Sequence, residues 1–208
     1  MVHGYHVIFG AYGYWLPNDP RGSWCDFIGK WELLRFGRAK PTPIRRSLAE
    51  LTDDELRLRE QAKTALKYPA VRFTGLQARA IARGFALVSH KRGFTIWACS
   101  ILPEHTHVVV ARHRYKVESV VNALKGQATR QIIAEGIHPL RELARPGSRP
   151  PRMWSGGEWK VFLDSESAIE DAIAYVAQNP IEEGMPSQHW NFVKPFSGLE
   201  AGWTTYHD

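Results

Sequence analysis

Cysteine is scarce in this 208-residue chain, which has two, Cys25 and Cys99, far apart and without a Cys-x-x-Cys pair. That excludes a disulfide framework and a thiolate zinc site, and leaves each as a small apolar residue. Long apolar runs are missing too: no stretch approaches the roughly 18 residues of a membrane-spanning helix. Met1-Val2-His3-Gly4-Tyr5-His6 lacks a basic segment followed by an apolar one, so no signal peptide is expected and a cytoplasmic place is the default. Acid is thin early and base is thin late. Residues 161–208 hold a single basic residue, Lys194, against eight acidic ones, although the whole chain carries +6. The first three quarters therefore read as a surface facing a polyanion, with nucleic acid the leading partner, and the acidic last quarter suits a helix that must not repel a divalent cation.

What is present reads as one α+β domain. The aromatic and β-branched run 5–16 predicts a long strand, stopped by Pro17-Asn18-Asp19-Pro20-Arg21-Gly22. Residues 22–69 form a basic insertion in which 47–56 offers capping residues ahead of a short polar helix, either solvated decoration or an arm on a phosphate backbone. Thr74 caps an amphipathic helix over 75–90, with Ile81, Phe85 and Val88 on the apolar stripe and Arg79 and Arg83 on another face. Two near-continuously apolar strands, 94–102 and 105–111, follow as a tight pair, then a helix over 117–134, an Arg/Pro/Gly connector over 141–152, a small hairpin over 153–163, and a helix over 165–178 that Pro180 ends. This order predicts a ferredoxin-like antiparallel sheet with helices on one face. The tail from 181 holds Trp190, Phe192, Phe196 and Trp203, too much apolar surface to leave in water, and is expected to form an ordered extension.

Two clusters carry chemistry. His105 and His107 are two apart on a strand, so both imidazoles project from one face while Thr106 points to the other. The strand reads as buried, and polar rings there need partners, metal or otherwise. Tyr175 and Asn179 are i, i+4 on a helix, which stacks a phenol and a carboxamide on one face. The plain alternatives are a helix-anchoring tyrosine and a helix-terminal asparagine.

Together, Pro103-Glu104-His105-Thr106-His107-Val108-Val109-Val110, Ala123-Leu124-Lys125-Gly126 and Tyr175-Val176-Ala177-Gln178-Asn179-Pro180 resemble the single-tyrosine HUH transposases, both the insertion-sequence type and the relatives associated with repetitive extragenic palindromes. Tyr12-Gly13-Tyr14-Trp15-Leu16-Pro17-Asn18-Asp19-Pro20-Arg21-Gly22 resembles the opening of the palindrome-associated branch. The chain departs from the family in two places: Thr106 stands where a bulky hydrophobe is usual, and the 22–69 insertion is long.

The resemblance implies a prokaryotic, nucleoid-associated enzyme that cuts and rejoins single-stranded DNA beside a hairpin. It implies Mg²⁺ or Mn²⁺ held by His105, His107 and Asn179, with Gln178 the competing third ligand. Tyr175 would be the nucleophile, forming a 5′-phosphotyrosine link, and Lys125 a candidate helper for a phenol that ordinarily titrates near pH ~10. Arg21, Arg45, Arg46, Arg79 and Arg83 would position phosphates, and Trp15 would offer a stacking surface. Family members work as monomers or as homodimers that exchange tyrosine helices; the opening motif and aromatic tail lean to the monomer. Two rival readings remain: a non-catalytic single-strand-binding module of the same fold, and a two-histidine phosphoesterase, which needs a second separated His-x-Thr or His-x-Ser element.

Overall fold

A computed structural model describes residues 1–20, 31–40 and 50–199, which divide into two compact units. In the first (residues 1–9, 73–138 and 157 onward), alternation sets the sheet. The strands are β1 (Gly4–Gly10), β2 (Ile96–Ile101), β3 (His105–Ala111) and β4 (Trp159–Leu163), in the spatial order β2-β3-β1-β4. With the connecting helices α3 (Gly75–Arg92) and α4 (Val117–Ala134), this is the expected ferredoxin-like antiparallel α+β arrangement. β2 and β3 pair with Ser100 opposite His107 and Ala98 opposite Val109, while β1 and β4 pair with His6 opposite Val161.

One face of the sheet is covered by α3 and α4, which pack on each other; Phe85 of α3 meets Phe9 edge to face at 6.2 Å. α3 forms as its sequence dictates: Thr74 and Gln77 make a reciprocal capping box, and Ile81, Phe85 and Val88 are buried. The two helices touch at Gly84, where an added Cβ would lie 2.7 Å from the Ala128 Cα, a backbone atom that cannot swing aside. Gly84→Ala is therefore expected to cost about 1–3 kcal/mol in chemical denaturation, against the small gain an alanine brings to an open helix position.

The opposite face receives a further layer, α5 (Glu166–Glu182). Ile169, Ala172 and Val176 pack on Ala98, Val109 and Leu163, so this helix lies on the face that carries the odd-numbered β3 residues. Helices thus cover both faces rather than one, because the His105/His107 face is as apolar at Ala98 and Val109 as its reverse. Pro180 does not end α5. Its missing N–H removes one bond only, and the Glu183 and Met185 amides close the end on Asn179 and Pro180 carbonyls. The described part of the tail, to Leu199, packs on its own unit. Phe196 meets Trp97 at 5.0 Å, Val193 bridges Ile96, and the Gln188 amide both accepts from Ile101 N–H and donates to its carbonyl, occupying the edge of β2.

The second unit comprises residues 10–72 and 139–156. β1 stops at Gly10, short of the expected Leu16, because the chain turns at Gly13, whose φ of 82° and close approach to Leu66 and Ala70 leave no room for a Cβ. α1 (Trp31–Leu34) and α2 (Asp53–Thr64) form from the insertion, with Thr52 and Glu55, within the 47–56 capping stretch, as the capping box of α2. Leu16, Leu33 and Ala62 make a small core. The insertion is therefore packed structure in its described part. Residues 153–163 form no hairpin: Trp154 bridges Ala11, and β4 pairs with β1.

Candidate functional site

Adjacent central strands bring three histidines to the face beneath α5. His6 on β1 and His107 on β3 lie side by side, rings stacked at 5.3 Å, with His6 Nε2 and His107 Nδ1 hydrogen-bonded at 3.0 Å. His105, one alternation along, presents its ring edge to His107 at 4.9 Å. All three are buried, His107 fully at 0 % exposure. On α5 the residues Ile169, Ala172, Val176 and Asn179 are the buried stripe, and Tyr175 sits at its margin, 44 % exposed, with its ring centre 5.6 Å from that of His6 and 5.7 Å from that of His107. Asn179 is 6 % exposed, whereas Gln178 is exposed to solvent. At the helix end Glu183 brings Oε1 within 3.8 Å of His105 Nε2.

This donor set suits a hard or borderline divalent cation. Two imidazoles, a carboxylate and a carboxamide are nitrogen and oxygen ligands, and the buried Cys99 lies on the other face of β2. Among the described residues no three His, Cys, Asp or Glu side chains converge to hold a metal.

No protein-family model and no curated protein matches the chain. Among solved structures it is similar to a REP-associated tyrosine transposase bound to a REP hairpin, at 13 % identity and a TM-score of 0.45 over 88 % of this chain and 70 % of that one. It is also similar to a candidate transposase from Deinococcus radiodurans R1, at 12 % identity and a TM-score of 0.39 over 90 % of this chain and 94 % of that one. No helix among the described residues is long and apolar enough to cross a membrane.

The remaining sequence candidates are scattered. Lys125 is buried on α4, donates from Nζ to the Gly157 carbonyl at 2.7 Å and lies over the Phe9 ring; burial pushes its ammonium below the ordinary lysine value, with Glu158 opposing. These contacts are on the α4 side of the sheet, whereas Tyr175 is on the α5 side. Arg79 is exposed, and Arg83 spends its guanidinium fork on Glu135, at 2.9 and 2.6 Å. Trp15 is half-buried against Tyr14. Arg21, Arg45 and Arg46, with Cys25 and Trp203, lie outside the described residues.

Sequence reasoning missed His6 and the position of Glu183. The available signal for His6 was a lone imidazole within an apolar central strand, which demands a polar partner. For His107 to offer Nε2 to a cation, Nδ1 must carry the proton and donate to His6 Nε2, so His6 acts as the acceptor that sets the tautomer. His6→Gln, which keeps an acceptor near Nε2, is expected to retain Mn²⁺ affinity in titrations of the DNA-free protein. His6→Leu is expected to lose roughly 10–100-fold.

Proposed function

We propose that this chain is a single-tyrosine DNA strand transferase acting on single-stranded DNA next to a hairpin, with Tyr175 as nucleophile. The observation that carries this reading is the placement of the solvent-accessible Tyr175 ring against the buried His107 of the same chain, one alternation from His105. An exposed phenol beside sunken imidazoles admits a strand from solvent and meets its phosphate at the floor of the site. The Tyr175 oxygen would attack phosphorus, forming the tyrosyl O–P bond and breaking the bond to O3′; the phenol loses its proton, and O3′ leaves as a hydroxyl once protonated. Attack by a 3′-hydroxyl on the phosphotyrosine reverses the step and joins strands without an outside energy source. A bound Mg²⁺ or Mn²⁺, held by His105, His107 and Asn179 with Glu183 alongside, would supply Lewis-acid polarisation of the phosphate. His6 orients His107, and the buried stripe of α5 fixes where Tyr175 can reach.

Labelled single-stranded DNA incubated with the protein and Mn²⁺ tests the reading through a denaturant-resistant protein–DNA adduct. His105→Ala is expected to form none yet still bind DNA, since phosphate contacts are distributed over the surface while the cation has few ligands. A mixture of His105→Ala and Tyr175→Phe chains is expected to stay inactive, because the tyrosine already stands over the histidines of its own chain. Adduct restored by mixing would require helices exchanged between two chains. Binding without any adduct from the unaltered chain would instead make the fold a non-catalytic single-strand-binding module.

A further inference from the structure

A second group of residues, at the far end of β3, carries cations that no described carboxylate claims. Lys91 and Arg92 end α3, and Arg112, Arg114 and Lys116 occupy the turn between β3 and α4; all five are exposed. Other described basic side chains do pair with carboxylates: Arg57 with Asp54, Arg59 with Asp19, Arg83 with Glu135, Arg141 with Glu142, Lys160 with Glu118. The five at this corner make no ion pair among the described residues. Glu118 feels Lys116 electrostatically but is hydrogen-bonded to Lys160.

The cluster is built on an aromatic stem. Phe94, buried, meets His113 edge to face at 5.1 Å; His113 lies 5.0 Å from Tyr115; and the Tyr115 amide donates to His113 Nδ1 at 3.2 Å. Onto Tyr115 converge two guanidiniums, Arg92 at 5.8 Å and Arg114 at 5.1 Å from the ring centre, with Arg114 also donating to the phenol oxygen at 3.3 Å. Stacking holds a guanidinium plane and leaves most of its edge donors for an acceptor outside the protein. A flat cation with fixed forks and no carboxylate is matched by phosphate oxygens.

We propose that this corner, Arg92, Arg112, Arg114 and Lys116 arranged around Tyr115, is a second nucleic-acid site that grips the phosphodiester backbone of DNA flanking the cleavage site. It rests on the strand-transferase reading for its substrate. From His107 to Ala111 the strand rises roughly 13 Å, at about 3.3 Å per residue, so the corner is separate from Tyr175 and several nucleotides of a bound strand lie between them. It reads no sequence, since every contact is to backbone, and it takes over the role that Arg83, tied to Glu135, is not placed to fill.

The experiment is the salt dependence of DNA affinity for the full chain, with a long mixed-sequence single strand and, separately, a duplex as probes. Loss of two single-strand phosphate contacts in Arg92→Gln/Arg114→Gln is expected to make the slope of log K against log salt shallower by about 1.4, and by about 1.8 if the duplex is the flank that is gripped. Arg57→Gln/Arg141→Gln, which removes the same charge from carboxylate-paired positions, is expected to keep the original slope. If the first variant fails to fold by circular dichroism, Arg112→Gln/Lys116→Gln carries the test. Slopes and affinities unchanged on both probes overturn the site. The covalent-adduct assay distinguishes this from failure of the larger reading: adduct with unchanged slopes removes only the corner, and shallower slopes without adduct keep the corner in a protein that binds but does not cut.

Discussion

A Tyr175→Phe chain is expected to form no covalent adduct with single-stranded DNA under any divalent-cation concentration, while its DNA affinity stays within a factor of about two of the parent, binding being dominated by spread phosphate contacts. The size of the effect follows from what the substitution leaves in place. Phenylalanine keeps the ring whose centre lies 5.6 Å from His6 and 5.7 Å from His107. The side chain is 44 % exposed, so neither a cavity nor a stranded polar group is created, and stability should move by no more than about 0.5 kcal/mol. Only the nucleophilic oxygen is gone. Adduct formation on a gel and thermal unfolding measured side by side check this. An adduct that persists would place the nucleophile elsewhere and end the assignment of Tyr175.

That assignment was open to sequence reading because both halves of it are local. Period-2 alternation puts His105 and His107 on one face, i, i+4 spacing puts Tyr175 and Asn179 on one side of a helix, and the apolar neighbours Val108, Val109, Val110 and Val176 show which faces are buried. The runs that became α3, β3 and α4 were readable for the same reason: each carries one clear period between capping or turn residues. What escaped depends on distant parts of the chain meeting. His6 acquires its meaning from a partner 101 residues away. β4 looked like half of a hairpin because Gly156-Gly157 is a good turn signal, but its pairing partner is β1. The two-sided layering escaped because an apolar strand face does not say which helix will cover it.

The least legible feature is also the one with the largest expected stability effect. Asp19 and Arg59 are 40 residues apart, at 1 % and 5 % side-chain exposure, with Arg59 Nε donating to Asp19 Oδ2 at 3.2 Å and Nη2 reaching the Tyr14 carbonyl. Beside them the Asn18 amide donates to the Leu33 carbonyl, so neighbouring residues of the Pro17-Asn18-Asp19-Pro20 turn tie down α1 and α2 in turn. What sequence marks as a turn is a set of buried polar anchors for the second unit. Asp19→Ala would remove the buried carboxylate from Arg59 and leave it only the largely exposed Glu60, hydrogen-bonded to Nη1 at 2.9 Å. The expected loss is about 2–4 kcal/mol, below that of a fully stripped buried charge because Glu60 still holds one edge of the guanidinium. Hydrogen exchange of the amides in 53–64 should rise accordingly. A double variant, Asp19→Leu with Arg59→Met, removes both charges and refills the volume, and much of the loss should return. If the double variant is as unstable as Asp19→Ala alone, the ion pair is not what the single substitution breaks, and the second unit depends on the shape of the Asp19 turn instead.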